Sequence, residues 1–110
     1  MFGSSVKLNS CSMFLHIVCW KYKAETTQEE KERHLQMLRS LKDKIPNILS
    51  LQVGRDELHI ERSFDTGLVA TYPNREAYEF YAAHPEHQKV AEFGKKISEK
   101  AVSVDFHVQE

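Results

Sequence analysis

Residues 14–23 (Phe14, Leu15, His16, Ile17, Val18, Cys19, Trp20, Lys21, Tyr22 and Lys23) are rich in β-branched and aromatic types and predict a strand. Phe14, His16, Val18, Trp20 and Tyr22 fall on one face, and Leu15, Ile17 and Cys19 on the other. Both faces are apolar until the lysines. A strand of that kind needs cover on both sides. The rest of the chain has to supply one cover, and something else the second.

The remaining elements follow from periodicity. Residues 27–44 predict a helix. Thr27 and Glu30 form a capping-box pattern, Leu35, Leu38, Leu41 and Ile45 make the apolar stripe, and Pro46 with Asn47 ends it. Residues 48–54 alternate, with Leu49, Leu51 and Val53 on one face. The charged stretch 55–64 predicts a strand extension followed by an exposed loop. Residues 65–72 form a third strand, with Leu68, Ala70 and Tyr72 opposite Val69 and Thr71. A short helix over 75–82 turns Ala77, Tyr78 and Tyr81 inward and breaks at His84-Pro85. Pro85 suits the first position of a second helix, 86–99, which aligns His87, Val90, Ala91, Gly94 and Ile97. Residues 101–108 close with a strand carrying Val102, Val104, Phe106 and Val108 on one face. The order is β-α-β-β-α-β with the second helix split, an α+β ferredoxin-like pattern. Helices cover one face of such a sheet. The other face predicts a homodimer through the open sheet face.

At 110 residues the chain has the length of one domain, and 41% hydrophobic with 28% charged residues is ordinary globular composition. A formal charge of −1 offers no basic surplus for nucleic acid or an anionic membrane. The longest apolar run, Phe14 to Trp20, is far short of the roughly 20 residues of a spanning helix. Two cysteines, Cys11 and Cys19, make no disulfide framework, and a cytoplasmic protein with reduced thiols is expected. Residues 1–12 read as a flexible extension and 13–110 as the domain.

The assembled features resemble the stress-responsive α/β-barrel (Dabb) family. They are His16-Ile17-Val18 in the first strand, Ile45-Pro46-Asn47-Ile48-Leu49 entering the second, Val53-Gly54-Arg55 after it, Tyr81-x-x-His84-Pro85-x-His87, and the closing Val102-Ser103-Val104-Asp105-Phe106. The match spans about 13–107. The resemblance implies a ferredoxin-like protomer and a dimer whose two sheets form a barrel. A plant branch of this fold cyclises linear polyketides in a cavity between sheet and helices, with a histidine and a tyrosine as acid/base groups. Carried over by motif, these fall on His87 and Tyr81, with His16 as the first-strand histidine.

His16, Tyr81, His84 and His87 are the candidate chemical cluster. An imidazole with a pKa near 6.5 can accept and return a proton at neutral pH, and a phenol can donate to a developing oxyanion. His84, Val18, Trp20 and Tyr22 are the candidate ligand-binding residues around it. A purely structural role is the competing expectation: His84 capping a helix, and His87 bonded to His16 or Tyr81. His16, His84 and His87 could be considered for zinc, but Pro85 splits the turn and no HExxH or cysteine pair is present, so no metal and no cofactor is expected. Cys19 reads as a small buried apolar residue. The expected function is a dimeric small-molecule-binding or stress-linked barrel. The alternative is a cofactor-independent lyase or cyclase, and fold analogy alone adds small cofactorless monooxygenases. Cavity size discriminates, because Trp20 and Tyr22 are bulky and a usable pocket holds on the order of 300 Å3 or more.

Overall fold

A computed structural model describes residues 12–109. The extension expected over 1–12 lies, apart from Ser12, outside the described residues. The elements are β1 (Met13–Tyr22), α1 (Gln28–Lys44), β2 (Ser50–Arg55), β3 (Thr66–Tyr72), α2 (Arg75–Ala83), α3 (Pro85–Ile97) and β4 (Ser98–Val108). The strands form one antiparallel sheet in the order β2-β3-β1-β4. The expected ferredoxin-like order with its split second helix is therefore present.

Local chemistry sets the boundaries. Thr27 caps α1 in a complete capping box: its hydroxyl accepts from the Glu30 N–H, and the Glu30 carboxylate accepts from the Thr27 N–H. His84 serves two helices at once. Its N–H donates to the Tyr81 carbonyl to end α2, and its Nδ1 accepts from the Glu86 N–H to start α3. Pro85 then sits where no N–H is required.

The helix expected to run to residue 99 stops at Ile97, and β4 begins at once. The Ile97 carbonyl accepts from the Lys23 N–H and the Thr26 hydroxyl, and Ser98 and Lys100 join the ladder of β1. Pairing with β1 outweighs the mild helix propensity of Glu99 and Lys100. No strand extension follows Arg55. Residues 56–65 turn back through Asp56, whose carboxylate accepts from the His59 N–H with His59 at φ 51°. Leu49 precedes β2 and is exposed, unlike Leu51 and Val53.

The core lies between the helices and the inner face of the sheet. Leu38 and Leu41 of α1, with Ile45 just past its end, pack with Phe14, Leu68, Ala70, Tyr72, Tyr81 and Val90. Leu41 is wholly buried, so truncating it to alanine removes about 2–5 kcal/mol. Among the described residues nothing covers the outer face. Register aligns Leu15, Ile17 and Cys19 with Phe106, Val104 and Val102, and Val69 continues the patch on β3. Val69, Val102, Val104 and Phe106 are 38–53% exposed. That is an apolar sheet face with no cover from the described residues.

Candidate active site

The inner face of β1 carries, in order, Phe14, His16, Val18, Trp20 and Tyr22. Between it and α3 lies a cavity of about 230 Å3 that opens to solvent. It is lined by His16, Val18 and Trp20 of β1, Tyr78 and Tyr81 of α2, His87, Val90 and Lys95 of α3, and Ser103 of β4. Its volume is just under the ~300 Å3 of a typical small-molecule site. Trp20 occupies part of the space, as its bulk suggested.

The split helix brings His87 to this cavity. Because α2 ends at Ala83 and α3 restarts at Pro85, the His87 ring folds back over α2. It lies 4.5 Å from the Tyr81 ring, centroid to centroid. Its Nδ1 donates to the Ala82 carbonyl at 3.0 Å. A carbonyl only accepts, so Nδ1 holds the proton and Nε2 carries a free lone pair. Burial lowers the His87 pKa, by more than the hydrogen bond to Ala82 raises it. His87 is therefore a neutral imidazole at pH 7, the form required of a base. The structural role expected for it, a bond to His16 or Tyr81, is taken instead by Ala82.

His16 is held from the other side. It pairs in register with Asp105 on β4, and the Asp105 carboxylate accepts from its Nδ1. Nε2 is again the free nitrogen. The Tyr78 and Tyr81 rings lie 4.9 and 6.1 Å from the His16 ring. Burial pushes the Tyr81 pKa up to about 12, and raises those of Tyr78 and Tyr72. These phenols keep their protons throughout the physiological range. The cavity thus combines two imidazoles whose Nδ1 atoms are already engaged with a phenol that keeps its proton and can donate it.

Two residues read as ligand-binding from sequence lie elsewhere. His84 is not among the cavity-lining residues, because its ring is spent capping α3. Tyr22 is 5% exposed and also outside the cavity. Its hydroxyl donates to the Thr66 Oγ1 at 2.9 Å and contacts the Nδ1 of His34 at 2.8 Å. Cys19 lies on the outer face, half-buried and free.

One residue carries no sequence signal of its place here, a second carries a divided one, and a third a single one. Asp105 stands within the closing Val102–Phe106 motif, and sequence offers no register to set it against His16. Tyr78, with Phe80, Tyr81 and Phe93, reads either as an aromatic ligand box or, from helical spacing, as core. His34 stands four residues before Leu38 and seven before Leu41, on the buried stripe, and that spacing is the one signal that marks it. It is 1% exposed. Because Tyr22 gives its one proton to Thr66, His34 Nδ1 is the donor in their bond, and Nε2 has no hydrogen-bond partner among the described residues. An unsatisfied buried acceptor costs about 1–3 kcal/mol. Burial lowers the His34 pKa to about 4.

Comparison with known proteins agrees with this architecture. Residues 14–108 match the family described as Stress responsive A/B Barrel Domain. A stress-response A/B barrel domain-containing protein of Arabidopsis thaliana is 29% identical over 100 residues, covering 88% of this chain and 87% of the relative. A dimeric ferredoxin-like protein of unknown function from Thermobifida fusca superposes with a TM-score of 0.81 at 21% identity, over 88% of this chain and 92% of that one. The hydroxynitrile lyase of Passiflora edulis superposes with a TM-score of 0.81 at 18% identity, over 89% and 94%. At such identities these two structures are alike in fold. Among the described residues, no helix is long and apolar enough to cross a membrane.

Proposed function

The chain belongs to the stress-responsive α/β-barrel (Dabb) family, and we propose that its cavity binds a small, uncharged or weakly acidic organic molecule through the Nε2 atoms of His16 and His87. The state of His87 carries this reading. Its Nδ1–H is committed to Ala82, its Nε2 is bare, and burial keeps it neutral. A ligand hydroxyl is the natural donor to such a nitrogen. The tyrosine and tryptophan rings favour a flat apolar body, and a volume of about 230 Å3 suits a single substituted ring.

Trp20 is the only tryptophan of the chain and lies in the cavity wall. Titration with phenol, followed by intrinsic fluorescence, is expected to quench it saturably. The response should disappear in His87→Ala. A linear, non-saturating response that survives the substitution removes the reading.

The same geometry favours a second reading, catalysis of the lyase or cyclase type. His87 can take a hydroxyl proton as a carbon–carbon bond breaks to a carbonyl and a carbanion-like leaving group. The resulting imidazolium then returns the proton to that group, while Tyr81 donates a hydrogen bond to the oxygen. The fold shared with the Passiflora edulis hydroxynitrile lyase makes a small aromatic hydroxynitrile the first substrate to try. Aldehyde release that His87→Ala abolishes is the expected result. Release equal to the background rate leaves binding alone.

The working unit in this proposal is a homodimer joined through the uncovered face of β1, β3 and β4, as the uncovered patch and the dimeric Thermobifida fusca protein suggest. Native mass spectrometry is expected to give a dimer that Val104→Asp converts to monomer. A monomeric wild type refutes it.

A further inference from the structure

The cavity has two chemically unlike ends, and the path of α3 sets them apart. At the first end the Tyr81 ring stands 4.5 Å from that of His87 and 6.1 Å from that of His16. The far end of α3 is tied to the far end of β1, where the Ile97 carbonyl accepts from the Lys23 N–H at 2.9 Å. The helix therefore runs alongside β1 in the same direction. Lys95, two residues before that tie, lines the cavity at its Trp20 end. Spacings of four set His87, Ala91 and Lys95 on one ridge of α3, and all three face the cavity. Eight residues of helical rise separate His87 from Lys95, about 12 Å.

Charge is distributed as unevenly as chemistry. Lys95 is the one side chain of fixed charge in the lining, and no carboxylate of the described residues lines the cavity. Lys95 is exposed and forms no ion pair with the described residues, whereas Lys44 and Lys89 are both taken by Glu86. Ser103, set against Val18 in the β1–β4 ladder, adds a hydroxyl to the lining. An unpaired ammonium and a hydroxyl on an otherwise apolar stretch form a receptor for an anionic group.

We propose that Lys95 selects ligands bearing a carboxylate, which its Nζ holds together with the Ser103 hydroxyl, while the ligand's phenolic hydroxyl meets His16 and His87 at the other end. The ligand class is a small phenolic carboxylic acid, one ring with its two polar groups at opposite ends. Val18 and Val90 line the apolar stretch between them. This selection rests on the binding reading above and narrows its weakly acidic ligands to that class.

Three probes test it: phenol, 3-(4-hydroxyphenyl)propanoate and 3-(4-hydroxyphenyl)propanamide. The last two differ in charge and little in shape. Calorimetry at low salt gives their affinities for the wild type, Lys95→Gln and Lys96→Gln. Lys96 is the next residue, equally exposed and outside the cavity lining. The acid is expected to bind the wild type about fivefold tighter than the amide, the upper worth of a solvated ion pair. Added salt should shrink that preference. Lys95→Gln should bring acid and amide level, and Lys96→Gln should keep them apart. Equal affinities in the wild type, or a preference that survives Lys95→Gln, overturn the inference. So does a preference lost equally in Lys96→Gln, which reports net charge alone. If phenol binds while acid and amide do not differ, this selection fails alone. If none of the three binds, the reading of the cavity fails with it.

Discussion

His87 and His34 both project from helices onto the inner face of β1, the first over His16 and the second over Trp20. Their environments differ in one respect that decides what each can do. The His87 ring has one nitrogen bonded to Ala82 and the other beside a solvent-connected cavity, so it can gain and lose a proton without disturbing its neighbours. The His34 ring is sealed, with one nitrogen in a bonded chain to Tyr22 and Thr66 and the other beside the Gly94 backbone. A proton arriving there enters a dry site with no counter-charge. The same side chain is thus a usable base at one position and an acid-labile fixture four β1 residues away. Access and partners separate them more than burial does.

The largest expected effect lies at His34. Its folded pKa of about 4 is below the ordinary 6.5, so between those values the unfolded chain binds more protons than the folded one. Stability is then complete above pH 6.5 and falls as pH drops to about 4. The loss amounts to about 3 kcal/mol. His87, shifted the same way, adds to it with the same sign. Chemical denaturation at a series of pH values should show this slope, and His34→Leu should flatten it. An unchanged slope in that variant would place the acid-sensitive group elsewhere.

Next comes Gly94. A side chain at this position meets a His34 ring that Tyr22 prevents from retreating, so Gly94→Val should lose about 1–3 kcal/mol despite its gain over glycine in helix propensity. Wild-type stability in Gly94→Val would show that His34 is not fixed, and would erase the contrast between the two histidines.

A smaller stability effect is expected on the cavity side. His87→Ala removes one hydrogen bond at a half-buried site, worth about 1 kcal/mol, yet should abolish phenol binding. A loss as large as that of a core truncation, with binding retained, would make His87 a structural residue. Smallest of all is Asp105→Ala. The Asp105 carboxylate is partly solvated, so stability should change by less than about 1 kcal/mol. Freed of Asp105, His16 can adopt either tautomer, and phenol affinity should fall. Unchanged affinity would mean that Asp105 does not position His16.

Much of this architecture can be read from residues alone, because each element carries its own signal. Two-sided apolarity marks β1, the Thr27–Glu30 box marks the start of α1, and His84-Pro85 marks the break between α2 and α3. What stayed hidden depends on register and on pairing across the fold. Asp105 faces His16 only because β1 and β4 pair as they do. Tyr22 shares the face of Trp20 by alternation, yet α1 draws its hydroxyl to His34 and away from the cavity. The end of α3 at Ile97 is fixed by donors from Lys23 and Thr26, more than 70 residues earlier. Local propensity contains none of this.

The central claim is that His16 and His87 present bare Nε2 atoms to a ligand while His34 stays sealed. Long-range 15N–1H correlation of the histidine rings at pH 7, with and without phenol, tests it directly. The account predicts the neutral Nδ1–H tautomer for His87 and Nδ1 protonation for His16, with phenol moving the Nε2 resonances of both and leaving His34 in place. A protonated Nε2 on His87, or phenol shifts absent from His16 and His87, would contradict it.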